Sequence, residues 1–177
     1  MPVDMEPELL YFIEASREVI LMSQKILIAL DDSDNAMRAV EYVAQSMTRD
    51  SQVTLFSVLQ DTATLCDMNS PELTPYFKSQ QEAFCVLEDK KRQLLTEAQC
   101  KARALLVANG FAEAQIQVKS EVKKKGIARD IAAEAQTGYD LIVIGRRGLS
   151  GLREFFLGSI SQKILQLVHA TSILIVN

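Results

Sequence analysis

Apolar residues recur along this chain with two different periods, and the changes of period divide it into elements. Positions 26–30 are continuously apolar, as expected of a parallel strand buried on both faces. Ser33 or Asp34 can cap a helix running to about Met47, with Ala36, Ala39, Val40 and Val43 on one side. Positions 53–59, apolar except for Thr54 and Ser57, predict a second strand. The stretch 61–75 is polar and punctuated by Asn69-Ser70-Pro71 and Thr74-Pro75, which predicts a loop. From about 76 to 109 there is no Gly or Pro, and apolar residues return every three or four positions. That pattern predicts one long helix, or two, ended by Asn109-Gly110. Positions 114–122 alternate, with Ile116, Val118 and then Ser120 or Val122 on one side, predicting a third strand nearer a sheet edge. A short helix at 126–136, a fourth strand at 140–144, an amphipathic helix at 160–169 and a fifth strand at 173–176 complete the series. Strands alternating with helices predict an α/β fold with an open, parallel, doubly wound sheet.

Residues 1–23 stand apart as an N-terminal extension ahead of a domain at 24–177. Leu9, Leu10, Phe12, Ile13, Val19, Ile20 and Leu21 recur at helical spacing, and Pro7 suits a first turn, so one helix over about 7–22 is predicted. Its apolar side needs a cover, either the domain or a second subunit. A membrane-surface helix is disfavoured, because its polar side carries acids rather than Lys and Arg.

A length of 177 residues with 48% hydrophobic content suffices for one domain with a proper core. The formal net charge of −4 argues against broad nucleic-acid binding, and the one basic run, Lys123-Lys124-Lys125, reads as a solvated loop before a helix. The three cysteines, Cys66, Cys85 and Cys100, are odd in number and match no zinc spacing. With no disulfide framework in view, a reducing, cytoplasmic setting is expected. Apolar runs are too short to cross a bilayer, and acids stand where an export signal would want bases.

The chemistry concentrates at 145–161, between the fourth strand and the last helix. Gly145 and Gly148 permit close backbone approach and positive φ, and Gly158-Ser159 opens the next helix, where amides and a hydroxyl can meet an anion. The spacing is Gly-x2-Gly-x9-Gly-Ser. Arg146, Arg147 and Arg153 lie within the loop, either offsetting an anion's charge or simply solvated.

This loop resembles the ATP-binding loop of the universal stress protein family, and the first strand ending in Asp31-Asp32-Ser33 resembles that family's first strand. The resemblance spans roughly 24–177 and implies a Rossmann-like, five-stranded sheet of order 3-2-1-4-5. It implies ATP as ligand, with Mg²⁺. It places Asp31 and Leu30 beside the nucleoside, the Val58 backbone at the adenine edge, and Ile144 along the adenosine. Gly145, Gly148, Gly158 and Ser159 fall on the phosphates, where the charge of Arg147 can add to them, and Ile160 and Ser161 continue that match into the helix, with the Ser161 hydroxyl near the triphosphate or its metal. It implies a homodimer through the last strand. Two departures are visible: the family's frequent Pro before the last strand is replaced by Ala170-Thr171-Ser172, and the 61–75 segment is long enough for a lid.

Rival folds lack their required groups. A receiver domain would need an acceptor Asp after strand three and a Lys after strand five; a dehalogenase-like phosphatase built on Asp32-Ser33-Asp34 would need a later Gly-Asp loop. Walker A and Gly-x-Gly-x-x-Gly are absent. The single histidine, His169, falls late in the last helix and suits its dipole. No general base stands ready near the loop, so no catalytic residue is assigned; Asp31 is the candidate if slow ATP cleavage occurs. Two functions follow: an ATP-binding regulatory module in stress response, or a nucleotide-free interaction protein of the same fold.

Overall fold

The first strand, β1 (Lys25–Ala29), carries the chain through the centre of the molecule. The computed structural model describes residues 23–62, 66, 75–147 and 157–177, with only the backbone of Tyr76. The N-terminal helix expected at 7–22, most of the 61–75 segment, Gly148 and Arg153 lie outside the described residues.

The elements that follow are α1 (Asp34–Ser46), β2 (Gln52–Leu59), α2 (Pro75–Ala108), β3 (Ile116–Val122), α3 (Ile127–Ala135), β4 (Leu141–Gly145), α4 (Ser159–Leu167) and β5 (Ser172–Val176). The strands form one parallel sheet of order β3-β2-β1-β4-β5, so the winding reverses between β1 and β4. Register pairs Ile28 with Leu55 on one side and with Val143 on the other.

Both faces of the sheet are covered, which is why β1 reads as an unbroken apolar run. Ile26 and Ile28 pack with Val40 and Val43 of α1 and Leu106 of α2. Leu27 points the other way, with Phe56, Ile131 of α3, Ile142 and Ile164 of α4. Each layer buries a full set of aliphatic side chains, at about 1.5–3 kcal/mol apiece relative to exposure.

Helix α2 is a single helix of 34 residues. Its C-terminal half is anchored, with Ala98, Gln99, Ala102 and Leu106 buried, whereas Phe84, Val86 and Leu87 stay exposed towards its start. Gln99 ties it to the sheet: its Nε2 donates to Ser57 Oγ and Ser120 Oγ, both at 2.9 Å, and Ser57 Oγ donates to the Leu30 carbonyl. The third strand is indeed an edge, and of its outward valines Val118 and Val122 remain exposed.

One expectation is corrected. Cys66 and Cys85 are joined by a disulfide across a separation of 19 residues, while Cys100 is free and exposed. The odd count concealed a pair, because proximity across a crossover is not legible in spacing.

Candidate functional site

At the carboxyl ends of β1 and β4, where the winding reverses, a crevice of about 290 Å³ opens. Open α/β sheets place ligands at this point, because the connecting loops diverge there and leave the strand ends uncovered.

Its walls come from seven elements, with α1 contributing only Ala36. Strand β1 and the turn after it contribute Leu30, Asp31 and Asp32; β2 contributes Phe56, Val58, Leu59 and Gln60. Ile127 and Ile131 of α3 and Ile144 of β4 supply an apolar side. Gly145, Arg147, Ile160 and Ser161 close the end nearest α4. The long helix α2 adds Glu88, Lys91, Arg92 and Leu95, spaced so that they share one helical face.

The Asp31 carboxylate is held by the turn after β1. Its Oδ1 accepts from the backbone N–H of Ser33 at 3.1 Å and from the Ser33 hydroxyl. Ser33 in turn caps α1, its Oγ accepting from the Ala36 N–H at 3.2 Å. The Asp-x-Ser sequence thus orients one carboxylate oxygen and starts a helix with the same residues.

The glycine of β4 works differently from the sequence expectation. Gly145 does not adopt positive φ. A Cβ placed on it would lie 2.7 Å from both the carbonyl carbon and oxygen of Asn35 and 3.0 Å from the Ala36 nitrogen. Its smallness therefore admits the N-terminus of α1, and the close approach is to the protein's own backbone. Ser161 is also partly committed: its hydroxyl lies 3.0 Å from the Gly145 carbonyl and 3.3 Å from that of Arg146, both acceptors. Its proton serves the backbone, so it reaches a phosphate only by turning away from those carbonyls.

Leu30, Asp31, Val58, Ile144, Gly145, Arg147, Ile160 and Ser161 all line the crevice. Gly158 and Ser159 are not among its walls. Gly158 precedes α4, and its N–H donates to the Arg146 carbonyl at 3.0 Å. Sequence reasoning missed Gln60 and the α2 residues. The periodicity of α2 gives its inward faces but not which turn overlooks the crevice.

One buried donor is left over. Arg147 Nε is buried and has no hydrogen-bond partner among the described residues. Buried donors are normally paired, so an orphan at a crevice wall fits an acceptor supplied by a ligand. Arg147, Lys91 and Arg92 line the same crevice as Asp31, Asp32 and Glu88; Glu88 is buried and paired with Lys91 at 2.5 Å. The crevice suits a ligand with an apolar body, polar hydroxyls and an anionic end. Among the described residues no three His, Cys, Asp or Glu side chains cluster for a metal. No described helix is long and apolar enough to cross a membrane.

Fold and crevice together define a doubly wound α/β protein with a ligand cleft at its winding reversal. The chain belongs to the universal stress protein family, whose family model matches residues 22–177. It is 32% identical over 156 residues to universal stress protein Sll1388 of Synechocystis sp. (strain ATCC 27184 / PCC 6803 / Kazusa), covering 86% of this chain and 96% of that protein. Among solved structures it is similar to universal stress protein UspA from Lactobacillus plantarum, with a TM-score of 0.62, 19% identity and coverage of 87% and 97% of the two chains. It is similar also to a universal stress protein solved in complex with cAMP, with a TM-score of 0.56, 20% identity and coverage of 87% and 97%.

Proposed function

We propose that this protein binds an adenine nucleotide, ATP in the first instance, in the β1–β4 crevice, and that occupancy regulates its shape or its partners during stress. The observation that carries the reading is the orphaned Arg147 Nε in a cleft that also holds an apolar side and the carboxylates of Asp31 and Asp32. Ile127, Ile131 and Ile144 would flank the base, the Val58 backbone would meet its edge, and Asp31 would accept from ribose hydroxyls. Arg147, with the loop amides and the start of α4, would face the phosphates. The binding of cAMP by a structural neighbour supports an adenine nucleotide as the ligand class. A homodimer through the β5 edge and a cytoplasmic setting are part of the same proposal; in a reducing compartment the Cys66–Cys85 bond would be open to reduction.

Isothermal titration of the purified chain with Mg-ATP, AMP and adenosine tests this. Binding of ATP, weakened about tenfold or more by Arg147→Ala while adenosine is unaffected, is the expected result, since a charge-assisted contact is worth about 1.5–3 kcal/mol. No heat and no thermal stabilisation at millimolar nucleotide would overturn it. A second reading, an interaction protein without nucleotide, is favoured by the internal engagement of Gly145 and Ser161 and by the exposed Val86 and Leu87 of α2.

A further inference from the structure

Beside the crevice lies a second groove, of about 360 Å³, which shares Gln60, Ile127 and Ile160 with it. Four cations line this groove: Lys123 and Lys125 from the loop after β3, Arg129 of α3 and Lys163 of α4. None of its lining residues is acidic, although the chain as a whole carries 23 acids against 19 bases. The neighbouring lysines are different. Lys119 Nζ pairs with Glu134 at 2.7 Å and Lys124 Nζ with Glu121 at 2.9 Å, whereas no carboxylate partner for the four groove cations occurs among the described residues. Among the described residues Lys123 Nζ has only a neutral acceptor, Gln60 Oε1.

The loop is also built. Asp130, the nearby acid, turns its carboxylate onto the loop's own amides, accepting from the N–H groups of Lys124 at 2.8 Å, Lys125 at 3.0 Å and Gly126 at 3.3 Å. Gly126 takes a φ of +122°, a conformation that side-chain-bearing residues rarely adopt. The chain is thereby fixed in a bend that sets Lys123 and Lys125 on the groove wall. Bringing four like charges to one concavity without a counter-charge is unfavourable unless an anion relieves it.

We infer that this groove is a binding site for a short phosphate chain. The crevice proper mixes three carboxylates with its cations, so phosphates beyond those that Arg147 faces are better accommodated in the acid-free groove than among Asp31, Asp32 and Glu88. An isolated pocket of four cations suits a few phosphates, not the extended contact row that a nucleic-acid duplex requires. The chain can belong to a nucleotide lodged in the crevice or can be free inorganic phosphate, and the inference stands on the groove alone.

The test is calorimetric titration of the full chain with sodium tripolyphosphate in a low-salt buffer without magnesium. Saturable binding that weakens as salt is added is expected, because screening shortens the reach of exposed charges. The double variant Lys125→Ala/Lys163→Ala should weaken it roughly tenfold or more for each lysine removed. The pair Lys78→Ala/Lys101→Ala, on the exposed surface of α2, should leave it unchanged, and matching circular dichroism melts establish that both variants fold. No binding at millimolar tripolyphosphate, or an equal loss in the two double variants, overturns the inference. Repeating the titration in saturating ATP separates the sources. Unaltered tripolyphosphate affinity indicates a free chain. Competition, with ATP but not adenosine weakened by the groove variant, indicates a nucleotide's tail. Failure of AMP to bind in a parallel titration counts against the nucleotide reading and leaves the groove standing.

Discussion

Replacing Gly145 by Ala isolates the contact on which the crevice's geometry depends. The added methyl would sit 2.7 Å from two backbone atoms of Asn35 and 3.0 Å from the nitrogen of Ala36, against an ordinary contact of 3.4–4 Å. Relief therefore takes about 0.7 Å of movement. The obstacle is the first turn of a helix, not the free end of a side chain, so the turn must shift as a unit. That turn is capped by Ser33, which also holds Asp31, and the strain passes directly into the crevice wall. Overpacking of this kind costs about 1–3 kcal/mol. For a chain of this size each kcal/mol lowers Tm by about 2–4 °C, so a drop of roughly 2–12 °C is expected in a thermal melt followed by circular dichroism. Gly138→Ala is the matched control: φ there is +106°, but nothing lies within 4 Å, so only the backbone penalty of about 1–2 kcal/mol applies. A Gly145→Ala protein that melts within a degree of the parent refutes the reasoning. On the proposed nucleotide reading, so does one that shows the expected fall in Tm yet keeps undiminished ATP affinity, since the shift would then not reach Asp31.

Other expectations follow from the same contacts. Burial alone would raise the Asp130 carboxyl, but the loop amides and the Lys124 charge hold it below the ordinary value. Its stabilising contribution is therefore full above the unfolded pKa of about 3.9 and is lost as pH falls through the folded value. Asp130→Asn should lose about 1 kcal/mol in urea unfolding at pH 7, and the gap to the parent should close below about pH 4; a gap that widens in acid contradicts this assignment. The Cys66–Cys85 bond closes a loop that chain entropy values at about 3 kcal/mol, so reductant should lower the unfolding midpoint, and alkylation without reductant should modify Cys100 alone. Labelling of all three cysteines would show the bond absent. Gln99→Leu removes the donor to Ser57 and Ser120 and should cost about 1–2 kcal/mol; an unchanged unfolding midpoint would mean that water replaces it fully.

Local pattern carried much of this molecule. The unbroken apolar runs at 26–30 and 141–144 declare strands buried on both faces, because a parallel sheet wrapped by helices leaves no polar side. Ser33 announces a helix start, since a hydroxyl at that point satisfies an amide that the helix cannot. These are interactions among residues a few positions apart, and such interactions are written directly in the order of the chain. What the fold alone decided joins residues far apart in sequence. Gly145 is small because α1 arrives beside it, 110 positions from Asn35 in the chain. Glu88, Lys91 and Arg92 enter the crevice because the length and tilt of α2 bring one of its turns over the strand ends. Cys66 meets Cys85, and Lys163 meets Lys123 and Lys125, only when the crossovers close. Periodicity tells a side chain whether it faces in or out; it carries no information about what stands opposite, because that is set by how whole elements pack.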